Sequence, residues 1–264
     1  MRLLIHKDYK NVCRWTADYI IRRINAFAPK AEKPFVLGLP TGSSPLGVYQ
    51  NLITACGEKK VSFADVVTFN MDEYLGLDGE HPQSYRRFMK DNFFSAVDIP
   101  ASNTHILYGM TSDPDAECAA YEEAIRAVGG IELFLGGIGS DGHIAFNEPG
   151  SSLNSRTRVV SLNAETRADN ARFFDGDASR VPTRALSVGI GTVMDAREVL
   201  ILASGRQKAR ALQAAVEGGI SHWCPLSCLQ LHPNAIIVCD EEAAAELKYG
   251  TVRYFKDIEG IQKE

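Results

Sequence analysis

The chain has no apolar run near the ~20 residues that a membrane-crossing helix needs, so no membrane span is expected. It has no excess of positive charge. Its formal net charge is -5 over 264 residues, which argues against nucleic acid or an anionic membrane as a partner. A phosphate ligand is still compatible, because local charge matters more than the total. The opening MRLLIHKDYK turns polar too soon for a signal peptide, and a cytoplasmic location is expected. There is no C-x2-C knuckle. The six cysteines, Cys13, Cys56, Cys118, Cys224, Cys228 and Cys239, are scattered as reduced thiols usually are. His222, Cys224, Cys228 and His232 have loosely zinc-like spacing, but Pro225 and Leu226 separate the cysteines and the segment reads as a short apolar helix. No nucleophile elbow, Walker motif, haem motif, internal repeat or low-complexity linker is present.

Hydrophobic content of 45% and charged content of 23% are ordinary for a globular protein. Strand-like apolar runs alternate with helix-like stretches. Strands are expected at Arg2 to His6, Phe35 to Leu39, Val66 to Asn70, Ile131 to Leu135, Ala185 to Val188, Val199 to Ala203 and Ala235 to Cys239. Helices are expected at Tyr9 to Phe27, Pro45 to Ala55, Ser84 to Phe94, Asp115 to Val128, Arg206 to Glu217 and onward from Glu241. This alternation predicts one doubly wound α/β domain over residues 1–264, Rossmann-like, with a mostly parallel sheet covered by helices on both faces. The polar stretch from Arg158 to about Ser187 is expected to be a lid within it.

The chemistry concentrates in Gly136 to Ser152, GGIGSDGHIAFNEPGSS, which follows the Ile131 to Leu135 run. Asp141, His143 and Glu148 lie there among glycines. A histidine between carboxylates is an acid–base device. Gly137, Gly139 and Gly142 match a dinucleotide fingerprint, but Asn147-Glu148-Pro149-Gly150 breaks any following helix and Asp141 would repel a pyrophosphate. Asp141, His143 and Glu148 are also a donor set that can bind a divalent ion, although no second histidine is near.

In open parallel sheets, ligands bind beyond the carboxyl ends of the strands. Thr41-Gly42-Ser43-Ser44 follows one expected strand and opens a helix, as an anion site or as an ordinary N-cap by Ser43 or Ser44. Asp72-Glu73 follows another, as a general base or as a helix cap. Lys208 falls in the first turn of a helix, against the helix dipole. Together these ends bring a phosphate cradle, a carboxylate base, an Asp–His–Glu cluster and a lysine to one sheet edge, suited to acid–base chemistry on a small phosphorylated substrate.

PTGSSP, TFNMDEY, GGIGSDGHIAFNEPGSSLNSRTR, ARFFDG and SCLQLHP together resemble the glucosamine-6-phosphate deaminase family, over nearly the whole chain. The resemblance implies conversion of glucosamine 6-phosphate and water to fructose 6-phosphate and ammonium, with no cofactor and no metal. It implies that Asp72 is the base, that His143 opens the sugar ring, and that Asp141 and Glu148 hold the imidazole. Gly42, Ser43, Arg172 and Lys208 match phosphate-binding positions, with Thr41, Ser44 and Gly137 beside them. Bacterial members are typically homohexamers activated by N-acetylglucosamine 6-phosphate between subunits. The matching effector residues are Ser151, Ser152, Arg158, Ser161 and Tyr254, while Val160 stands where activated members usually carry lysine. A sugar-phosphate lactonase or a sugar-phosphate sensor domain is the competing expectation.

Overall fold

In a computed structural model, which describes residues 1–260, the chain runs as β1 (Arg2–His6), α1 (Tyr9–Phe27), β2 (Phe35–Leu39), α2 (Leu46–Gly57), β3 (Val66–Asn70), β4 (Asp72–Tyr74), α3 (Tyr85–Asn92), β5 (Thr104–His105) and α4 (Pro114–Ala127). It continues with β6 (Leu133–Gly137), β7 (Arg158–Ser161), α5 (Ala164–Asn170), β8 (Arg184–Ser187), α6 (Ile190–Met194), β9 (Glu198–Ala203), α7 (Ala209–Glu217), β10 (Ala235–Asp240) and α8 (Tyr249–Ile258).

Seven strands form one sheet in the order β1-β10-β9-β6-β2-β3-β5, and every pairing within it is parallel. Strand residues alternate between two apolar layers, as the period of two requires. On one face Leu37, Leu135, Leu200 and Val238 pack against Val12, Ile20 and Ile24 of α1 and Leu52 of α2. On the other, Val36, Phe134, Ile201 and Ile237 meet Ile125 of α4 and Leu212 of α7. Helix starts are set locally: Asp8 accepts from the Asn11 N–H at 2.9 Å, and Asp113 accepts from Ala116 ahead of Pro114 in the first turn of α4.

The chain order reverses between β2 and β6. From β2 it proceeds outward through β3 to β5, and from β6 it proceeds the other way through β9 to β10. That switch point leaves a crevice beyond the carboxyl ends of these two strands.

A second, antiparallel sheet of β4-β8-β7 stands beside the first. The expected strand at Ala185 to Val188 therefore exists, shifted by a residue, but belongs here and not to the parallel sheet. The chain passes from one sheet to the other at Met71, whose N–H donates to Leu39 O and whose carbonyl accepts from Val188 N–H. The stretch expected as a lid contributes β7, α5 and β8. Its Val160, Leu162 and Phe174 pack with Tyr74 and Phe146 in a small apolar cluster of their own.

Other boundaries also differ from expectation, two of them with consequences for the site or the core. The strand placed at Ile131 to Leu135 starts and ends two residues later, so Gly136 and Gly137 pair with Ile201 and Leu202 and belong to the strand. The helix expected from Glu241 is a series of turns, and α8 begins only at Tyr249. There the Asp240 carboxylate takes the Ala243 N–H, and Ala243 and Ala244 are drawn into the core.

Candidate active site

The crevice at the switch point is a cavity of about 200 Å³. It receives one loop from the carboxyl end of each of β2, β3, β6 and β9, and a wall from the stretch around α5.

Asp72 enters from β4, immediately beyond β3. It is 5% exposed and lines the cavity against Tyr74, Tyr85, Phe146 and Phe174. These rings lie 4.9–6.1 Å apart along the wall. Burial pushes the Asp72 carboxyl well above the ordinary carboxylate range, and the neighbouring Glu73 adds to the effect. Glu73 points away from the cavity and performs the other role open to this pair. Its carboxylate accepts backbone N–H bonds from Tyr74, Tyr85 and Arg86 at 2.8–3.0 Å, which ties β4 to the start of α3. The two acids thus divide into one cavity carboxylate and one helix anchor.

His143 comes from the loop after β6. Asp141 Oδ1 lies 2.7 Å from its Nδ1 and also accepts the His143 backbone N–H at 3.0 Å. Burial alone would raise the Asp141 carboxyl. The bond and charge of His143 outweigh it, and the carboxyl is held below its usual value. The imidazole lies directly on the backbone of Gly139: a β-carbon there would stand 2.2 Å from Cε1 and Nδ1. Only glycine permits that approach.

The hydrogen bonds assign Glu148 elsewhere. Its carboxylate accepts the N–H of Asn163 at 3.1 and 3.3 Å, and Asn163 is the N-cap of α5. Of the expected pair around the imidazole, Asp141 makes the contact and Glu148 reaches the lid stretch. Among the described residues no group of three or more His, Cys, Asp or Glu side chains is arranged to hold a metal. In the loosely zinc-like group, both ring nitrogens of His232 are engaged, by the Ala196 carbonyl and the Asn234 N–H.

Thr41, Gly42, Ser43, Ser44 and Gly137 line the cavity on the β2 and β6 side. Gly42 has a φ of +87°, a conformation that suits glycine. Neither serine caps α2: Pro45 holds the N-cap position without a side-chain bond, and the Tyr9 hydroxyl takes the Gly47 N–H. Lys208 and Arg172 line the same cavity. Burial lowers the Lys208 ammonium pKa and Arg172 lowers it further, against opposing pulls from Asp169 and Asp141. The loop leading to Lys208 is anchored by Asp240, which accepts the Ser204 hydroxyl and the Gly205 N–H. Sequence reasoning missed that anchor, as it missed Asp169 and the aromatic wall. An acid at the end of a strand, beside a loop already singled out, was the available signal for Asp240.

The expected effector residues divide into two groups. Arg158 donates to Asn147 Oδ1 at 2.7 Å and to Ser151 Oγ at 3.4 Å. Ser152 and Ser161 are exposed nearby in the chain. Val160 turns inward to the cluster with Phe146 and Phe174. Tyr254 is 60% exposed on α8, which packs on the edge strand β1.

Comparison with known proteins bears on this geometry. Residues 7–238 match the family described as glucosamine-6-phosphate isomerases/6-phosphogluconolactonase. The glucosamine-6-phosphate deaminase of Porphyromonas gingivalis is 61% identical over 98% of both chains. That of Parabacteroides distasonis is 58% identical over 98% of this chain and 96% of its own. A solved structure, described as a monomeric glucosamine-6-phosphate deaminase, superposes with a TM-score of 0.86 at 40% identity, covering 93% of this chain and all of its own. The chain belongs to the glucosamine-6-phosphate isomerase/6-phosphogluconolactonase family, and these relatives within it are named glucosamine-6-phosphate deaminases.

Proposed function

We propose that this protein converts glucosamine 6-phosphate and water to fructose 6-phosphate and ammonium, as a step in amino-sugar catabolism. The observation that carries the reading is the shared cavity: a buried carboxylate with raised proton affinity, an aspartate-paired histidine and two cations all line it.

The sugar phosphate binds by its dianion to Lys208 and Arg172 and to the Thr41–Ser44 loop. His143 moves the anomeric hydroxyl proton to the ring oxygen and opens the ring, with Asp141 stabilising the imidazolium that forms in transit. Asp72 then removes the proton from carbon 2 of the open-chain aldehyde, giving an enolamine, and returns it to carbon 1. The product is an imine at carbon 2. Water adds to that imine and ammonia departs, leaving the ketose. A carboxylate with raised proton affinity is a stronger base than an ordinary one, which suits it to a weakly acidic carbon. The aromatic wall keeps water from the developing charge.

The proposal extends to a cytoplasmic enzyme that forms homohexamers and in which activation by N-acetylglucosamine 6-phosphate near Ser151 and Arg158 is weak or absent, because Val160 cannot donate to a phosphate. No helix among the described residues is long and apolar enough to cross a membrane. The structural relative described as monomeric makes the hexamer a point for sedimentation to decide.

The test is incubation with glucosamine 6-phosphate, following ammonium and fructose 6-phosphate together. The proposal expects them in equal amounts. Hydrolysis of 6-phosphogluconolactone without ammonium release would overturn it in favour of the lactonase reading.

A further inference from the structure

The short helix α5 is joined to the loop that carries His143 at both of its ends. At its start, Glu148 accepts the N–H of Asn163. At its end, the Ser140 hydroxyl donates to Asp169 Oδ2 at 3.2 Å. A helix of 7 residues is too short to be stable by itself, so such clasps decide where it sits.

Asp169 has a second relationship. It lines the cavity with Lys208 and Arg172, and its charge favours the Lys208 ammonium while Arg172 disfavours it. Among the described residues neither cation has a carboxylate within 4 Å; Arg172 lies over the Phe173 ring at 4.7 Å. Asp169 is therefore an anion at the mouth of the anion site. A carboxylate and a phosphate dianion that both face Lys208 repel each other, and the carboxylate, on an exposed residue of a short helix, is the one free to leave.

We propose that Asp169 is an internal counter-ion for Lys208 in the phosphate cradle and the latch of α5: it offsets the Lys208 charge and is released from Ser140 when a phosphate takes its place. This rests on the cavity being a phosphate site. Release loosens the carboxyl end of α5 and the following Arg172, while the Glu148 clasp holds the other end as a hinge and Phe174 stays in its apolar cluster. Arrival of the phosphate is thereby communicated to Ser140, next to the Asp141 that pairs with His143. The latch lowers affinity for any anion and favours a ligand with the double charge needed to displace it.

The test is calorimetric titration of the full chain with inorganic phosphate, for the native protein, Asp169→Asn and Lys208→Ala. The asparagine keeps an oxygen to accept from Ser140 and removes only the charge. Loss of one facing charge near the surface should tighten phosphate binding roughly two- to tenfold, with a parallel fall in KM for glucosamine 6-phosphate. Lys208→Ala should bind phosphate more weakly than the native protein. If the native protein binds phosphate and Asp169→Asn binds it equally or less tightly, the latch is refuted and the cradle stands. If none of the three proteins binds phosphate, the cradle is refuted and the latch falls with it.

Discussion

Gly139→Ala removes nothing and adds a single methyl group, yet the structure forecasts a large loss of activity. The new carbon would stand 2.2 Å from Cε1 and Nδ1 of His143 and 2.5 Å from Cγ. Carbon atoms in contact normally lie about 3.5–4.0 Å apart, so the imidazole must retreat by more than about 1 Å. Its φ is not positive, so backbone strain is not the cause. The retreat disturbs the 2.7 Å approach to Asp141 and moves the ring relative to Asp72. A misplacement of about 1 Å at a reacting group costs on the order of a hundredfold. We expect kcat/KM for ammonium release to fall by about that factor, while inorganic phosphate, held by Lys208 and Arg172, still binds. Gly219→Ala, where an added carbon meets nothing within 4 Å, is the control and should be silent. Activity of Gly139→Ala within threefold of native (roughly 0.7 kcal/mol) would refute the placement of His143 as a reacting group.

Lys208→Ala should raise KM for glucosamine 6-phosphate roughly ten- to a hundredfold, the value of a charge-assisted bond, and weaken inhibition by inorganic phosphate in step; unchanged inhibition would contradict a phosphate contact. The acid limb of kcat/KM should lie above the ordinary carboxylate range, because Asp72 must be ionised to act and its pKa is raised. In Glu73→Gln that limb should shift to lower pH, and pH profiles that coincide would exclude the charge coupling. The same shift has a consequence for stability. The folded state holds the Asp72 proton more tightly than the unfolded chain does, so this group's contribution declines as pH rises from the ordinary carboxylate range to the raised folded value. Asp72→Asn should therefore raise Tm at pH near 7, and the gain should vanish near pH 3, where aspartate is protonated in both states. A lower Tm at neutral pH would contradict a buried, costly charge.

The parallel sheet was legible because its strands are buried on both faces and read as continuous apolar runs, from Phe35–Leu39 to Ala235–Asp240. The loops at their ends were legible because the switch-point rule says where to look. Of the second sheet only β8 was, as the run from Ala185 to Val188. β4 reads Asp-Glu-Tyr and is wholly buried, and the charge of its Glu73 is offset by backbone N–H groups that lie more than ten residues onward. Periodicity cannot register such a strand. The alanine-rich run after Asp240 has helical propensity, but burial of Ala243 and Ala244 in the core overrides it. Glu148 was placed beside His143 because both share a loop. Its partner, Asn163, is fifteen residues away, and a contact of that kind leaves no local trace.

The central claim is that Asp72 is the base that takes the carbon-bound proton. It is tested most directly by the rate of ammonium release from glucosamine 6-phosphate in Asp72→Asn, with substrate affinity measured alongside by calorimetry. The account predicts a loss of about 10²–10⁴-fold in turnover with affinity little changed, because the amide preserves the shape of the cavity and cannot accept the proton. Turnover within a few-fold of the native protein would contradict it.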